Sequence, residues 1–337
     1  MKFQIEKESL LNPLQQIIGA VEKRQTMPAL SNVLLRASEN LLTLTATDLE
    51  IELVSQVSMS IDEPGDITVP ARKLLDICKS LPAEAMITFS VKEQKVLVQS
   101  GRSRFTLASL PASDFPSLDE ISSVFAFELS QQTLHELIDK TSFAMAQQDV
   151  RYYLNGLLLE VSNKLIRAVA TDGHRLSYCE KELEAELADI KQVIVPRKGI
   201  LELVRLLDNT EAPVRISLGS NHIRLEFDSL QLTSKLIDGR FPDYNRVMPD
   251  EGGNILIADR EQLRQSLVRA SILSNEKYRG IRMILDKNLM RLEAQNPDHE
   301  EADVELEIDY KGDDIEIGFN VNYMLDVLNV TSSDVVQ

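Results

Sequence analysis

The strongest candidate for chemistry in this chain is one short run, Thr171-Asp172-Gly173-His174-Arg175-Leu176. Asp172 and His174 could act as an acid–base pair beside the Thr171 hydroxyl. Such a pair needs a nucleophile turn or a glycine-rich phosphate loop nearby, and neither accompanies it. Alternate residues of a strand share a face by default. A related segment 124 residues earlier carries Leu49-Glu50 in place of Gly173-His174, so the fold itself does not need the histidine. His135, His222 and His299 are scattered and read as surface or core residues. Asp298, Glu300, Glu301, Asp303 and Glu305 could attract a metal ion, but their spacing fits no calcium loop. Cys78 and Cys179 lie too far apart in sequence for a zinc cluster and are too few for a disulfide framework. No catalytic residue, metal site or cofactor is expected.

The elements that carry these residues come from a chain of 337 residues, 43% hydrophobic and 26% charged. That length holds two or three domains at about 100–150 residues each. A net charge of −17 argues against a uniformly basic nucleic-acid coat. The opening MKFQIEKESL alternates apolar and charged residues and lacks the apolar core of a signal peptide. With no run of 18 apolar residues, no membrane contact is expected, and the cytoplasm is the expected setting.

Internal repeats organise the chain. LLRASENLLTLTATDLEIEL (34–53) aligns with LLEVSNKLIRAVATDGHRLS (158–177) at an offset of 124, pairing Thr47-Asp48 with Thr171-Asp172. A third copy, MILDKNLMRLEAQNPDHEEA (283–302), follows at 125, with Asn296-Pro297 in the Thr-Asp place. Further along, Leu74-Leu75-Asp76-Ile77-Cys78 matches Ile200-Leu201-Glu202-Leu203-Val204 and Met324-Leu325-Asp326-Val327-Leu328. Leu74, Ile77, Cys78 and Leu81 form a helical stripe. Phe115-Pro116 and Phe241-Pro242 close the first two copies.

Each copy opens with an amphipathic helix, the first built on Leu10, Leu11, Leu14, Ile17, Ile18 and Val21, the second beginning with Leu134, Leu137 and Ile138. Around the helices, alternating or β-branched runs bounded by Gly, Pro, Asn and Asp read as strands. The expected fold class is α+β, with domains at 1–122, 126–250 and 254–337. After the shared landmark the second copy runs 43 residues, from Arg205 to Val247, and the third only 9, from Asn329 to Gln337. About 34 residues of last strands are therefore expected to be missing from the third domain, leaving an unpaired edge.

The distribution of charge qualifies its total. Predicted helices at 9–24, 71–81, 133–147, 196–207, 261–279 and 320–329 sum to +5, which leaves −22 for the rest. Arg72, Lys73, Lys79, Arg197, Lys198, Arg205, Arg264, Arg269, Lys277 and Arg279 supply most of the positive charge. Solvated helix faces would explain any one helix. Six helices in three equivalent units suggest instead a basic concave surface with the strands outside. Two such chains would set twelve helices in a ring. At ~9 Å per packed helix the ring of axes is ~34 Å across, and removing one ~10 Å helix thickness leaves a ~24 Å hole, slightly wider than a DNA duplex.

Together with ATDGHRL (170–176), DVRYYLNG (149–156), VPRKG (195–199), DGRFPDYNRV (238–247), LSNEKYRG (273–280) and the opening MKFQIEKESLL, the repeats resemble the bacterial sliding clamp family, the DNA polymerase III beta subunits. The resemblance runs from Met1 to about Leu328. It implies three repeated clamp domains, helices inside and antiparallel sheets outside, forming half of a head-to-tail dimeric ring around double-stranded DNA. It implies no chemistry: such a clamp tethers DNA polymerase catalytic subunits, is opened by a clamp-loader complex, and binds other proteins through a clamp-binding motif. A ring that slides cannot hold base edges, so phosphate contacts are expected.

The DNA-binding positions that the resemblance implies are Arg24, Gln148, Arg151, Tyr152, Tyr153, Arg197, Lys198 and Arg205, joined by Arg72 and Lys79 from the basic helices. The implied partner-peptide pocket comprises Leu154, Thr171, Gly173, His174, Arg175, Leu176, Pro242, Arg246, Val247, Asn320 and Tyr323. In relatives the last residues of the chain complete its wall. The implied dimer interface sets Arg102 and Arg104 against Asp298, Glu300 and Glu301, with Lys73, Ile77, Phe105, Leu107, Ile272 and Leu273 in its apolar core and rim. The rival reading is an acidic multi-domain scaffold that gathers partners without encircling DNA.

Overall fold

Each copy opens on a short strand that runs straight into a helix. In the first, β1 (Lys2–Glu6) turns Phe3 and Ile5 inward and passes into α1 (Lys7–Ile17), whose Leu10, Leu11, Leu14 and Ile17 are buried. There follow β2 (Asn32–Ser38), β3 (Leu41–Thr47), β4 (Ile51–Ser58), β5 (Ile61–Glu63), β6 (Gly65–Pro70), α2 (Ala71–Ser80), β7 (Met86–Lys92), β8 (Lys95–Ser100) and β9 (Ser103–Ala108). The second copy comprises β10 (Phe125–Ser130), α3 (Gln131–Ser142), β11 (Gly156–Thr171), β12 (Leu176–Pro196), α4 (Arg197–Leu206), β13 (Pro213–Leu218), β14 (His222–Phe227) and β15 (Leu230–Lys235). The third comprises β16 (Leu256–Asp259), α5 (Arg260–Ser271), β17 (Gly280–Asp286), β18 (Leu289–Gln295), β19 (Glu301–Glu307), β20 (Asp309–Tyr310), β21 (Ile315–Asn320), α6 (Val321–Val330) and β22 (Val335–Val336). The structure is a computed structural model that describes residues 1–22, 27–118, 125–248 and 253–337, with the backbone alone at 163 and 184–189.

The chain divides into two compact units, Met1–Asp172 with Tyr178–Arg240, and Gly173–Ser177 with Phe241–Gln337. The first unit holds a five-stranded sheet, β5-β1-β7-β8-β9, an eight-stranded sheet, β10-β13-β14-β15-β4-β3-β2-β6, and the pair β11-β12. The eight-stranded sheet crosses from copy to copy where β15 pairs antiparallel with β4, from Leu230 opposite Ser55 to Ser234 opposite Ile51. One core of buried Leu, Ile, Val and Phe side chains runs through both copies. The second unit has its own core, a four-stranded sheet β19-β18-β17-β21, and a three-stranded sheet β20-β16-β22. β9 and β19 are sheet edges in their units.

In each copy the two helices pack side by side: α1 with α2, α3 with α4, α5 with α6. Three of the six end sooner than periodicity predicts. α1 stops at Ile17 and continues only as a 3₁₀ turn to Ala20, α3 stops at Ser142, and α5 stops at Ser271. Beyond α5 the Asn275 side-chain oxygen accepts from the backbone N–H groups of Lys277 and Tyr278, and Arg279 sits at φ 49°, so a turn replaces further helix. Lys277 and Arg279 therefore lie in a loop and not on α5. The six observed helices still carry a net +4 in a chain of net −17.

The third repeat also needs a correction of register. Leu42, Leu44 and Ala46 are buried on β3, and Met290, Leu292 and Ala294 are buried on β18, an offset of 248 from the first copy. The second and third copies are thus 124 apart, not 125, and Gln295-Asn296 stand in the Thr-Asp place. The turn chemistry agrees: an Asp48 oxygen accepts from the Glu50 and Ile51 N–H groups, and the Asn296 oxygen from those of Asp298 and Glu300. A slip of one residue would have turned every core side chain of β18 outward.

Candidate functional site

The proposed DNA-facing cations differ in what already holds them. Arg72 and Lys79 are exposed on α2, and the Arg72 guanidinium donates to the Val21 carbonyl at 3.1 Å. Arg197 opens α4 and donates to the Met145 carbonyl, and burial lowers its pKa. Lys198, next along, makes an ion pair with Asp48 of the first copy. Arg205 donates to the Gln15 carbonyl at 2.9 Å, to the Gln16 carbonyl, and to Glu202 on its own helix. Those carbonyls belong to the last turn of α1, where a cation meets the negative end of the helix dipole. Arg24 lies outside the described residues.

The loop between α3 and β11 is built on Asp149. Its carboxylate accepts from the Arg151 backbone and, at 3.0 and 2.8 Å, from the Arg151 guanidinium, which holds the Arg151 pKa above its usual value. Asn155 closes the loop by accepting from the Asp149 N–H and donating to the Asp149 carbonyl. Gln148 takes a left-handed φ of 56°. The Tyr152 and Tyr153 rings meet edge to face at 5.9 Å, with Tyr152 59% exposed. A large exposed aromatic beside a cation is a surface suited to stacking or phosphate contact.

Of the eleven pocket candidates, Leu154 and Thr171 belong to the first unit and the other nine to the second. Within the second unit the turn 173–177 reaches α6. Arg175 lies 2.6 Å from Asp326 and 4.6 Å above the Tyr323 ring. Gly173 takes φ 87°, a conformation glycine adopts without strain. Asn320 caps α6 by accepting from the Asn322 N–H. Arg246 pairs with Asp243, and Pro242 and Val247 are exposed.

The dimer candidates lie on two edges. Arg102, just before β9, and Arg104 on it are exposed, while Phe105 is half-buried and Leu107 buried. On α2, Lys73 is exposed and Ile77 half-buried, and just past α5 Ile272 is 72% exposed, with Leu273 half-buried. Asp298, Glu300 and Glu301 are exposed on and beside β19.

Family models for the N-terminal, central and C-terminal domains of the DNA polymerase III beta subunit match residues 1–119, 128–243 and 245–337 in turn. The chain belongs to the DNA polymerase III beta subunit family, the beta sliding clamps. It is 55% identical to the beta sliding clamp of Pseudomonas aeruginosa over 100% of its own length and 92% of that protein. A crystal structure of the beta subunit from that organism superposes with a TM-score of 0.97 at 54% identity, over 99% of this chain and 92% of that one. A second, bound to griselimycin, superposes at 0.96 with 55% identity, over 99% and 91%.

As a family member the chain is a non-catalytic processivity factor with the three-domain clamp fold, helices combined with antiparallel sheets. Among the described residues no helix is long and apolar enough to cross a membrane, and no cluster of ligating side chains could hold a metal ion. Sequence reasoning missed Asp48 and Asp326. Asp48 lies in the Thr-Asp landmark, but nothing in the repeat says that a lysine 150 residues later would reach it. Asp326 was legible only as the acid of its helical landmark.

Proposed function

We propose that two copies of this chain close head to tail around double-stranded DNA and tether polymerases to it. The observation that carries this reading is the β15–β4 pairing, in which the last strand of one copy adds to the fourth strand of the one before. β9 is the first copy's counterpart of β15, since Val98 faces Phe105 as Leu225 faces Leu232. β19 is the third copy's counterpart of β4, since Gln295 faces Glu301 as Thr47 faces Glu52. Both are open edges, of the kind that invites pairing.

Transferring the register of β15 on β4 sets Phe105 opposite Ala302 of a second copy, Arg104 opposite Asp303, and Arg102 beside Glu305. The same transfer sets Asn296 in the place of Asp48 and Arg72 in the place of Lys198, with the acidic residues Asp298 and Glu300 of that turn beside Arg72 and Lys73. Opposite charges then meet along both contacts. Because the pairing is heterologous, two copies close only as a ring.

Basic helices in an acidic chain favour phosphate contacts from Arg72, Lys79, Gln148, Arg151, Tyr152, Tyr153 and Arg197, with Arg24, Lys198 and Arg205 as further members of that set. Domains at 1–122, 126–250 and 254–337 follow the repeats. DNA polymerase catalytic subunits, a clamp loader and other proteins with a clamp-binding motif would bind the pocket that includes Leu154, Thr171, His174, Arg175, Val247 and Tyr323. The griselimycin bound by the P. aeruginosa relative supports a ligand site on this fold. A cytoplasmic setting accords with that role.

The test is a chain carrying Arg104→Cys and Asp303→Cys. Oxidation on circular plasmid DNA should yield a covalent dimer that stays with the circle in SDS and leaves it on linearisation. Absence of the covalent dimer, or no retention by the closed circle, would refute the ring.

A further inference from the structure

We propose that Asp326 is a positioning residue for the partner pocket: through Arg175 it holds the turn 173–177 against α6 and so fixes Gly173 and His174. This rests on the pocket reading given above. The Arg175 guanidinium sits 2.6 Å from the Asp326 carboxylate and 4.6 Å from the centre of the Tyr323 ring. Tyr323 and Asp326 are three residues apart on α6, so one turn of helix offers both the ring and the charge. The Arg175 side chain is 19% exposed, which strengthens both contacts relative to a solvated pair. Residues 173–177 belong to the same compact unit as α6, while the residues on either side belong to the other.

The first copy shows that this link is not required by the repeat. At the first junction Ile51 of the first copy and Glu202 of the second stand where Arg175 and Asp326 stand, and the turn is tied instead by Asp48 to Lys198. The pocket-bearing turn thus has a latch of its own, and its two ends are a pocket residue and a residue outside the pocket.

Griselimycin serves as the probe, titrated calorimetrically into the full chain, with melting temperatures to show that each variant folds. Asp326→Asn should weaken binding about tenfold, Arg175→Ala by a similar factor, and the double variant no further, as expected of residues acting as one unit. Asp326→Glu should recover most of the affinity, which a general loss of helix stability would not predict. Tyr323→Ala separates the two readings. If it leaves binding unchanged, the pocket reading falls and the proposal with it. If Tyr323→Ala weakens binding while Asp326→Asn does not, Asp326 has no positioning role and only the proposal is overturned.

Discussion

Lys198 at the start of α4 makes an ion pair with Asp48, whose side chain is 2% exposed, so a cation of the second copy neutralises a buried turn of the first. The other carboxylate oxygen of Asp48 accepts from the Glu50 and Ile51 N–H groups at 2.8 Å. Lys198→Ala leaves that carboxylate with backbone partners only. Breaking a fully buried pair costs about 3–5 kcal/mol, and with Lys198 37% exposed we expect about 1–3 kcal/mol. Urea unfolding measures this, and an unchanged midpoint would show the pair to be energetically idle.

The same pair bears on DNA. Lys79 is exposed on α2, whereas the charge of Lys198 is partly engaged by Asp48. Lys79→Ala should reduce the slope of log affinity against log salt by about one, and Lys198→Ala by less than half of that. Equal reductions would mean that Lys198 releases Asp48 to meet phosphate.

Glu52 lies on β4 beside the junction with β15. Burial pushes its carboxyl up, and the Leu118 N–H and the Arg224 charge only partly oppose this. A carboxyl whose folded pKa is raised penalises the fold once ionised, so the penalty grows as pH climbs from about 4.5 through the folded value. Glu52→Gln should raise the urea midpoint at pH 8 and converge with the parent chain near pH 4. A variant less stable at pH 8 would contradict this.

Cys78 is fully buried on α2, and burial pushes its thiol up to about 11. At pH 8 it is a buried thiol and a poor nucleophile. Alkylation followed by mass spectrometry should label Cys179, which is half-buried, before Cys78, and Cys78 only as fast as the first unit unfolds. Labelling of Cys78 at the faster rate would reveal local opening of α2.

Arg102→Ala with Arg104→Ala should weaken the dimer more at low salt than at high salt, because the charges they meet are exposed. Sedimentation showing the same dimer in both conditions would contradict the register transferred from β15 and β4.

Much of this architecture was legible in the sequence because the same solution is written three times. The stripe of Leu74, Ile77, Cys78 and Leu81 found α2, and its counterparts found α4 and α6. Helix ends were less legible. Lys277 and Arg279 follow α5 without a break in polarity, and only the Asn275 cap and the left-handed Arg279 show that the helix has stopped. The register of the third copy slipped because Leu289 and Met290 are both apolar, and burial alone says which one faces the core. Leu49 shows a further limit. It takes φ 77° where Gly173 takes φ 87°, so the repeat preserves a left-handed turn at a position where sequence signals it only once. Long-range pairs were the least legible: Lys198 with Asp48 and Arg175 with Asp326 each join residues about 150 apart. No local pattern encodes that distance.

The most direct test of encirclement is topological. The protein is loaded on a nicked circular duplex, the complex is isolated by gel filtration, and half of it is linearised at a single site. The ring account predicts retention on the circle and loss from the linear form at the same salt concentration. Equal retention on both forms would mean that the protein holds DNA by surface contact, and the ring would have to be abandoned.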